Sequence, residues 1–561
     1  MNAQFEWKNK LYFGDNLDIL RDYIPDRSVD LIYLDPPFNS QTTYNVLFGE
    51  KNGSQSQAQI TAFEDTWHWG EDAEATYHEL VTEGSKKLSD LIQALRGFLG
   101  QNDMMAYLVM MAIRLAELNR VLKPTGSIFL HCDPTASHYL KLLMDATFDP
   151  ENFRNEIIWC RSMPKAHVSR RFPSGHDVIL FYGKSDVGKF HMVFMPHDER
   201  YLEKHYRYVE PQTGRRYDLT DLTNPNRDRP HLTYEFPPGS GSVKVWRWTK
   251  ERMIKAWEDG RVVIPKKGGI ARFKRYLDEQ QGTPCKTVWT DIPPINSQAK
   301  ERLGYPTQKP EALLERIIMA ASDEGDLVLD PFCGCGTTIN VAERLKRRWI
   351  GIDITHLAIT LIRNRLDTAF RIEFVSTGSK GQPSIVHELA YEVIGVPRDL
   401  KGAEALALQD RHQFELWALG LINARPAQKK KGSDAGIDGF IYFFDDKSRV
   451  AKKIVVQVKS GKVSVPHIRE LKGVMEREKA AIGLFVSLEP FTDPMRKEAL
   501  SAGYYAPEYL GPEDKAPKIQ MLTIQDLLAG TGPKYPRLGI TTFGHAERKY
   551  KESMPVQETL V

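Results

Sequence analysis

Two stretches carry residue types suited to gripping a ligand and acting on it. Asp35-Pro36-Pro37-Phe38 sets a carboxylate and an aromatic ring around two prolines, directly after the apolar run Val29-Asp30-Leu31-Ile32-Tyr33-Leu34. The run predicts a buried strand, and the prolines end it because neither can donate to a sheet ladder. Asp35 and Phe38 then belong at the carboxyl end of that strand, where open α/β sheets bind ligands. Far downstream, Asp330-Pro331-Phe332-Cys333-Gly334-Cys335-Gly336 follows Leu327-Val328-Leu329 and precedes a helical run from Thr337 to Leu345. Strand, glycine loop and helix in that order let a ligand approach the backbone closely. Asp353 ends the next strand, about 20 positions beyond the loop, the spacing at which an acid accepts hydrogen bonds from ribose hydroxyls.

Other elements must bring these stretches together. Leu11 to Leu20 reads as a short strand, a Gly14-Asp15-Asn16 turn and a helix start, with Asp15 suited to capping that helix. After Phe38, a Gly, Ser and Gln-rich stretch to Gln59 shows little hydrophobic periodicity and reads as a loop, either a lid over the site or an ordinary surface loop. Met104 to Leu122 is apolar at helical spacing and stops at Lys123-Pro124-Thr125-Gly126; Ser127 to His131 follows as a strand. Asn155–Trp159 and Asp177–Tyr182 read as two further strands. Tyr305-Pro306-Thr307-Gln308-Lys309-Pro310 leads into a helix from Leu313 to Ala320 and the strand before the glycine loop.

Together these segments resemble the amino-methyltransferases of DNA, whose base motif is Asp/Asn/Ser-Pro-Pro-Tyr/Phe/Trp and whose cofactor loop is Phe-x-Gly-x-Gly. The base motif comes first here, an order like that of the family's beta group, and the Pro-Thr-Gln-Lys-Pro segment also matches. The resemblance implies a Rossmann-like S-adenosylmethionine-dependent methyltransferase fold. It assigns Asp35, Pro36, Pro37 and Phe38 to the target base and Asp15, Asp330, Phe332, Gly334, Gly336 and Asp353 to S-adenosylmethionine. Asp at position 35 favours adenine N6 by resemblance, with cytosine N4 the nearest competitor. Cytosine C5 chemistry needs a nucleophilic cysteine beside the base motif, and the cysteines near a motif, Cys333 and Cys335, lie in the other loop. They have no second Cys or His pair at zinc spacing, so they read as small loop-lining residues rather than metal ligands.

From about Lys184 to Gly304 aromatic and basic residues interleave, among them Tyr206, Arg207, Tyr208, Arg215, Arg216, Trp246-Arg247-Trp248, Trp257, Lys266, Lys267 and Lys274. Such side chains suit contact with phosphates and base edges. The tryptophans also suit the core of a small separate fold. By position the insertion resembles the family's target-recognition domain.

A turn-rich boundary at Ser376 to Ser384 opens the last third. A helical segment with Phe414-Glu415-Leu416-Trp417 precedes the basic run Lys429-Lys430-Lys431, then Gly436-Ile437-Asp438-Gly439 and the strand Ile454 to Lys459. Asp438 with Gln457-x-Lys459 resembles the Mrr-like restriction endonucleases of the Asp…Gln-x-Lys type. The resemblance implies Mg²⁺ held by Asp438 and Gln457, with Lys459 orienting a water and Glu415 as a further acid. Gln457 stands where related sites carry an acid, so a domain that binds DNA without cutting it is the alternative.

Bulk properties bound the reading. A chain of 561 residues exceeds one core and suggests roughly three or four domains. Hydrophobic content of 41% and charged content of 27% are those of a soluble globular protein. The net charge of +3 confines any nucleic-acid site to a local patch. Five cysteines argue against a disulfide framework, and no apolar run reaches membrane-spanning length, so a cytoplasmic setting is expected. No Gly-x4-Gly-Lys-Ser/Thr motif points to an ATP-driven translocase. The expected division is a methyltransferase base-binding half at 1–184, a recognition insertion at 185–304, a cofactor-binding half at 305–372, a linker at 373–400, an α/β restriction-endonuclease-like domain at 401–535 and a tail at 536–561. The expected activity is adenine-N6 methylation of double-stranded DNA coupled to restriction, with a homodimer left open. A modification methyltransferase whose last domain only binds DNA, and a non-catalytic DNA-binding protein, are the alternatives.

Overall fold

The computed structural model describes residues 8–37, 43–49, 55–64, 68–161, 172–264, 269–296, 299–303, 305, 307–370, 391–427, 436–443, 451–507 and 515–536. Phe38, Lys266, Lys267, the run Lys429-Lys430-Lys431 and most of the expected linker and tail lie outside them. Two compact units emerge, one of Met1–His191 with Thr287–Val561 and one of Met192–Lys286.

The first unit is built on a nine-stranded sheet. In chain order its strands are β1 (Asn9–Phe13), β2 (Val29–Leu34), β3 (Leu122–Cys132), β4 (Phe153–Cys160), β5 (His176–Gly183), β6 (Val288–Trp289), β7 (Leu327–Asp330), β8 (Arg348–Asp353) and β9 (Tyr391–Ile394). They lie side by side as β6-β4-β5-β3-β2-β7-β8-β1-β9. Only β5 runs antiparallel to its neighbours. Every residue of β2 is buried, as expected where helices cover both faces of a parallel sheet. The strand's alternation splits it between two cores. Ile32 and Leu34 join the layer of α1 (Asn16–Tyr23) and α2 (Asp103–Val121). Leu31 and Tyr33 join that of α3 (Glu311–Ala321), α4 (Thr337–Arg344) and α5 (His356–Ala369).

The sheet order makes neighbours of segments distant in sequence. β2 pairs parallel with β7 through Leu31↔Val328 and Ile32↔Leu329. Buried Asp30 fastens the start of that pairing: its Oδ2 accepts from the Leu327 amide at 2.9 Å and from Lys123 Nζ at 2.7 Å. The two prolines and the glycine loop therefore leave the sheet side by side at its carboxyl edge.

Two expectations change. Thr43–Gly49 and Gln55–Glu64 pair as an antiparallel ribbon where a loop is expected from sequence; such pairing runs through the backbone and leaves little hydrophobic period. β9 falls in the expected linker yet forms the sheet's edge, paired parallel with β1.

The second unit, Met192–Lys286, is shorter at both ends than the insertion set off in the sequence. It holds a four-stranded sheet ordered Val262–Val263, Arg272–Tyr276, Arg216–Asp221, Tyr208–Val209. Trp246, 1% exposed, packs its core with Phe236 and Met253. Several cations of the interleaved stretch are ion-paired inside the unit, Arg215 with Asp278 and Glu279 and Lys274 with Glu210.

The last part of the first unit carries α6 (Leu400–Gln409), α7 (Arg411–Leu421) and a five-stranded sheet ordered β10 (Arg425–Pro426), β11 (Gly439–Phe443), β12 (Lys452–Lys459), β13 (Ile482–Ser487), β14 (Ile519–Thr523). Helices α6 and α7 cover one face, and α8 (Val465–Glu478) covers the other. Helix α7 also packs on α5: the His356 amide donates to Gln413 Oε1 at 3.3 Å, and a Cβ on Gly420 would stand 2.5 Å from Thr360 Oγ1. Among the described residues no helix is long and apolar enough to cross a membrane.

Candidate active site

One cavity at the carboxyl edge of the large sheet is lined by Asp35, Pro36 and Pro37 on one side and by Asp330–Cys335 and Asp353 on the other. Asp35 leaves β2 where the ladder ends, and its Oδ2 accepts from Lys309 Nζ in an ion pair of 2.5 Å. Its other oxygen, Oδ1, is buried and has no hydrogen-bond partner among the described residues. Leaving a buried acceptor unmade costs roughly 1–3 kcal/mol. Lys309 is 9% exposed and stands just ahead of Pro310, the N-cap of α3. The sequence places it only within a matching segment; a lysine followed by a helix-opening proline was the available signal.

Behind Asp35, on the same face of β2, Tyr33 Oη lies 2.9 Å from His131 Nδ1, and His131 Nε2 lies 3.1 Å from Asp177 Oδ2. Arg161 Nε reaches Asp177 Oδ1 at 3.0 Å. Burial alone would raise the Asp177 carboxyl, but the His131 hydrogen bond and the charges of Lys309 and Arg161 outweigh it and hold it below the usual carboxylate range. Burial pushes the Tyr33 hydroxyl well above its ordinary value, with the nearby carboxylates adding to it. His131 and Asp177 carry no role in the sequence reading; they end and open, respectively, runs recognised only as strands.

The glycine loop is shaped by contact. Gly336 has φ +74° and caps α4, and a Cβ there would stand 2.6 Å from Ile362 of α5. At Gly334 a Cβ would meet the Tyr305 ring at 3.3 Å. Asp353 braces the loop: Oδ2 accepts from the Gly334 amide at 2.9 Å, and Oδ1 accepts from the Thr355 amide and hydroxyl at 2.9 and 2.8 Å. Burial raises the Asp353 carboxyl to about 6 against those hydrogen bonds. Asp330, 2% exposed, is raised to about 7, chiefly by burial, while hydrogen bonds from Thr338 and the Phe332 amide oppose the rise. Burial also raises the thiols of Cys333 and Cys335, which suits neutral packing residues rather than thiolate ligands.

Asp15 both caps and faces the cavity. Its Oδ1 accepts from the Leu17 amide at 2.7 Å, and Arg114 Nη2 holds its two oxygens at 2.8 and 2.9 Å. Arg114 Nε also donates to Asn16 Oδ1, and Asn16 Nδ2 to the Pro331 carbonyl. The end of β1 is thereby tied to the glycine loop through two residues that sequence reasoning missed. A lone arginine inside the apolar face of α2 was the signal for one of them.

In the last domain, Asp438 and Gln457 come together. The Asp438 amide donates to Val456 O at 2.9 Å, and Asp438 Oδ2 accepts from the Val458 amide at 2.7 Å. Gln457, 1% exposed, turns Nε2 to the Gly436 carbonyl and leaves Oε1 without a partner among the described residues. Lys459 follows on the same face of β12. Val456 and Val458 point the other way, into the core formed with Phe414 and Trp417 of α7. Glu415 therefore stands on the helix covering the face opposite Gln457, its Oε2 4.0 Å from His412 Nδ1. On the Gln457 side it is Glu470 of α8 that comes close, within 2.8 Å of where a Gly436 Cβ would lie. The orphaned Oε1 fits an oxygen-seeking cation such as Mg²⁺. Among the described residues, however, no group of three His, Cys, Asp or Glu is placed to hold a metal.

A DNA methylase family model matches residues 29–364, and a restriction endonuclease family model matches residues 407–505. The type II methyltransferase M.EcaI of Enterobacter cloacae is 30% identical over 267 residues, 46% of this chain and 57% of that protein. The Mod subunit of the type III restriction-modification enzyme StyLTI of Salmonella typhimurium is 27% identical over 351 residues, 60% of this chain and 50% of that subunit. The chain thus spans about half the length of these two relatives. Among solved structures, the cytosine-N4-specific PvuII DNA methyltransferase is 13% identical, with 64% of this chain and 86% of that one covered at a TM-score of 0.33. With more than half of its length matched by the first model, the chain belongs to the DNA methylase family and carries a restriction-endonuclease-like segment towards its C-terminus.

Proposed function

We propose that the chain is a site-specific DNA methyltransferase that moves a methyl group from S-adenosylmethionine to adenine N6 in double-stranded DNA. The observation that carries this reading is Asp35, whose buried Oδ1 has no partner among the described residues, lining one cavity with the glycine loop. An exocyclic amine is a poor nucleophile because its lone pair is delocalised into the ring. Hydrogen bonds from that amine to Asp35 Oδ1 and the Pro36 carbonyl draw the nitrogen toward tetrahedral geometry and free the lone pair. Phe38 stacks on the base once it has left the duplex, a cost that such enzymes recover in the pocket.

S-adenosylmethionine, when bound, supplies an electrophilic methyl group. On this reading Asp353 and Asp15 hold its hydroxyls and adenine ring, while Asp330, Phe332, Gly334 and Gly336 shape the wall against it. The site then acts mainly by positioning, which can contribute several kcal/mol. On this reading the unit Met192–Lys286 reads the target sequence through its basic side chains. In the last domain Asp438 and Gln457 Oε1 would hold a Mg²⁺ ion, which would supply Lewis acidity for phosphodiester cleavage, and Lys459 would orient the attacking water.

A second reading rests on Gln457 in place of an acid: methylation by the first domain, with a last domain that binds DNA without cutting. Unmethylated DNA incubated with protein and Mg²⁺, with and without S-adenosylmethionine, separates the outcomes by gel and nucleoside mass spectrometry. N6-methyladenine with discrete fragments supports the full reading, and N6-methyladenine without fragments supports the second. N4-methylcytosine would move the target base, and absence of any methylated nucleoside would overturn both readings.

A further inference from the structure

Among the described residues, Lys309 is the one buried cation in contact with the proposed base-binding acid. The Lys309 and Asp35 side chains are 10% and 15% exposed. The backbone that carries Lys309 is held on both sides. Gln308 accepts from the Leu303 amide at 2.8 Å and donates to the Glu301 carbonyl, and Pro310 opens α3. Asp177, the other buried acid whose carboxyl Lys309 influences, already has His131 and Arg161 as partners at 3.1 and 3.0 Å. The short ion pair of Lys309 is accordingly with Asp35.

A carboxylate is symmetric and turns about its last side-chain bond, so on its own it offers either oxygen in a range of orientations. Charge-assisted pairing of Oδ2 removes that freedom, because N⁺–H···O⁻ bonds are short and directional. What remains is Oδ1, buried and without a partner among the described residues, on a side chain that lines the cavity. We propose that Lys309 is a positioning residue for methyl transfer, clamping Oδ2 of Asp35 so that Oδ1 alone is presented to the amino group of the target base. The inference rests on the methyltransferase reading above. It adds a requirement that reading does not contain: the acid must be held by a cation from the far half of the chain before the amine can be aimed.

The test is a cycle of Asp35→Asn, Lys309→Met and the double variant, with Lys309→Arg as the conservative change. Single-turnover methyl transfer to unmethylated DNA is measured beside calorimetric binding of S-adenosylmethionine and a thermal melt of each protein. If the wild type transfers no methyl group, the underlying reading fails. If it does, Lys309→Met should be slower by about 100-fold, as a misplaced reacting group would make it. Cofactor affinity should stay within about threefold, and Lys309→Arg should recover at least about tenfold over Lys309→Met. In the Asp35→Asn background, where no carboxylate remains to be clamped, Lys309→Met should cause no further loss. The double variant also removes both buried charges together, so it stays interpretable if Lys309→Met alone does not fold. Wild-type rates in Lys309→Met, a parallel loss of rate and cofactor affinity, no recovery with arginine, or losses that multiply in the double variant would each overturn the assignment.

Discussion

Asp35 pairs Oδ2 with Lys309 and leaves Oδ1 without a partner among the described residues, so removing its side chain should separate chemistry from cofactor binding. Asp35→Ala should end methyl transfer while S-adenosylmethionine affinity measured by calorimetry changes less than about threefold; transfer at the wild-type rate would remove Asp35 from the reaction. Asp330 makes a prediction about pH. Its carboxyl, ordinarily near 3.8, is raised to about 7 in the folded chain, so between roughly pH 4 and 7 the folded state holds a proton that the unfolded state does not. That proton favours folding at low pH, and its contribution is lost as pH rises through the folded value. Asp330→Asn cannot titrate, so the melting temperature of wild type relative to the variant should fall as pH is raised from 5 to 8. A difference independent of pH would show that Asp330 is not the buried titrating group.

The elements around the cavity succeed because one of them tolerates no side chain. Gly336 combines a left-handed φ with the Ile362 side chain 2.6 Å from any added Cβ. Gly336→Ala should therefore cost more than the ~1–2 kcal/mol of the backbone conformation alone and weaken cofactor binding. Adding Ile362→Ala should restore part of the stability in a denaturant titration; strict additivity would mean the two residues do not compete for space. Elements of this kind were legible in the sequence because their constraints are local. Prolines after an apolar run gave the end of β2, and glycines after another gave the loop and α4. Contacts that join distant segments left no such mark. Lys309 on Asp35, Arg114 on Asp15 and the Tyr33–His131–Asp177 chain depend on sheet order, and no periodicity encodes that β2 and β7 are neighbours. The edge strand β9 was missed for a related reason, since four residues beside a turn-rich stretch carry too little pattern to register.

At the scale of the molecule, the last domain is fastened to the methylase sheet rather than trailing from it. Helix α7 sits on α5 through Gln413 and Gly420, and α5 follows directly on Asp353, which braces the glycine loop. β9 closes the edge of β1 through four paired positions, Asn9↔Tyr391 to Tyr12↔Ile394. Two truncations weigh these attachments. A chain ending at residue 400 keeps β9 and loses only the cover on α5, so it should still transfer methyl groups, with a melting temperature lowered by several degrees. A chain ending at residue 372 also bares the backbone edge of β1, an invitation to pair with another chain, and should melt lower still and aggregate. Equal melting temperatures would show that β9 adds nothing to the sheet. Lys459→Ala in the full chain is the complementary test, since it alters the last domain without moving either attachment. Methylation should continue unchanged while Mg²⁺-dependent cleavage stops. A matching loss of both activities would mean that the two sites work as one unit through the α5–α7 contact, and the domains could then no longer be treated as separable enzymes sharing a chain.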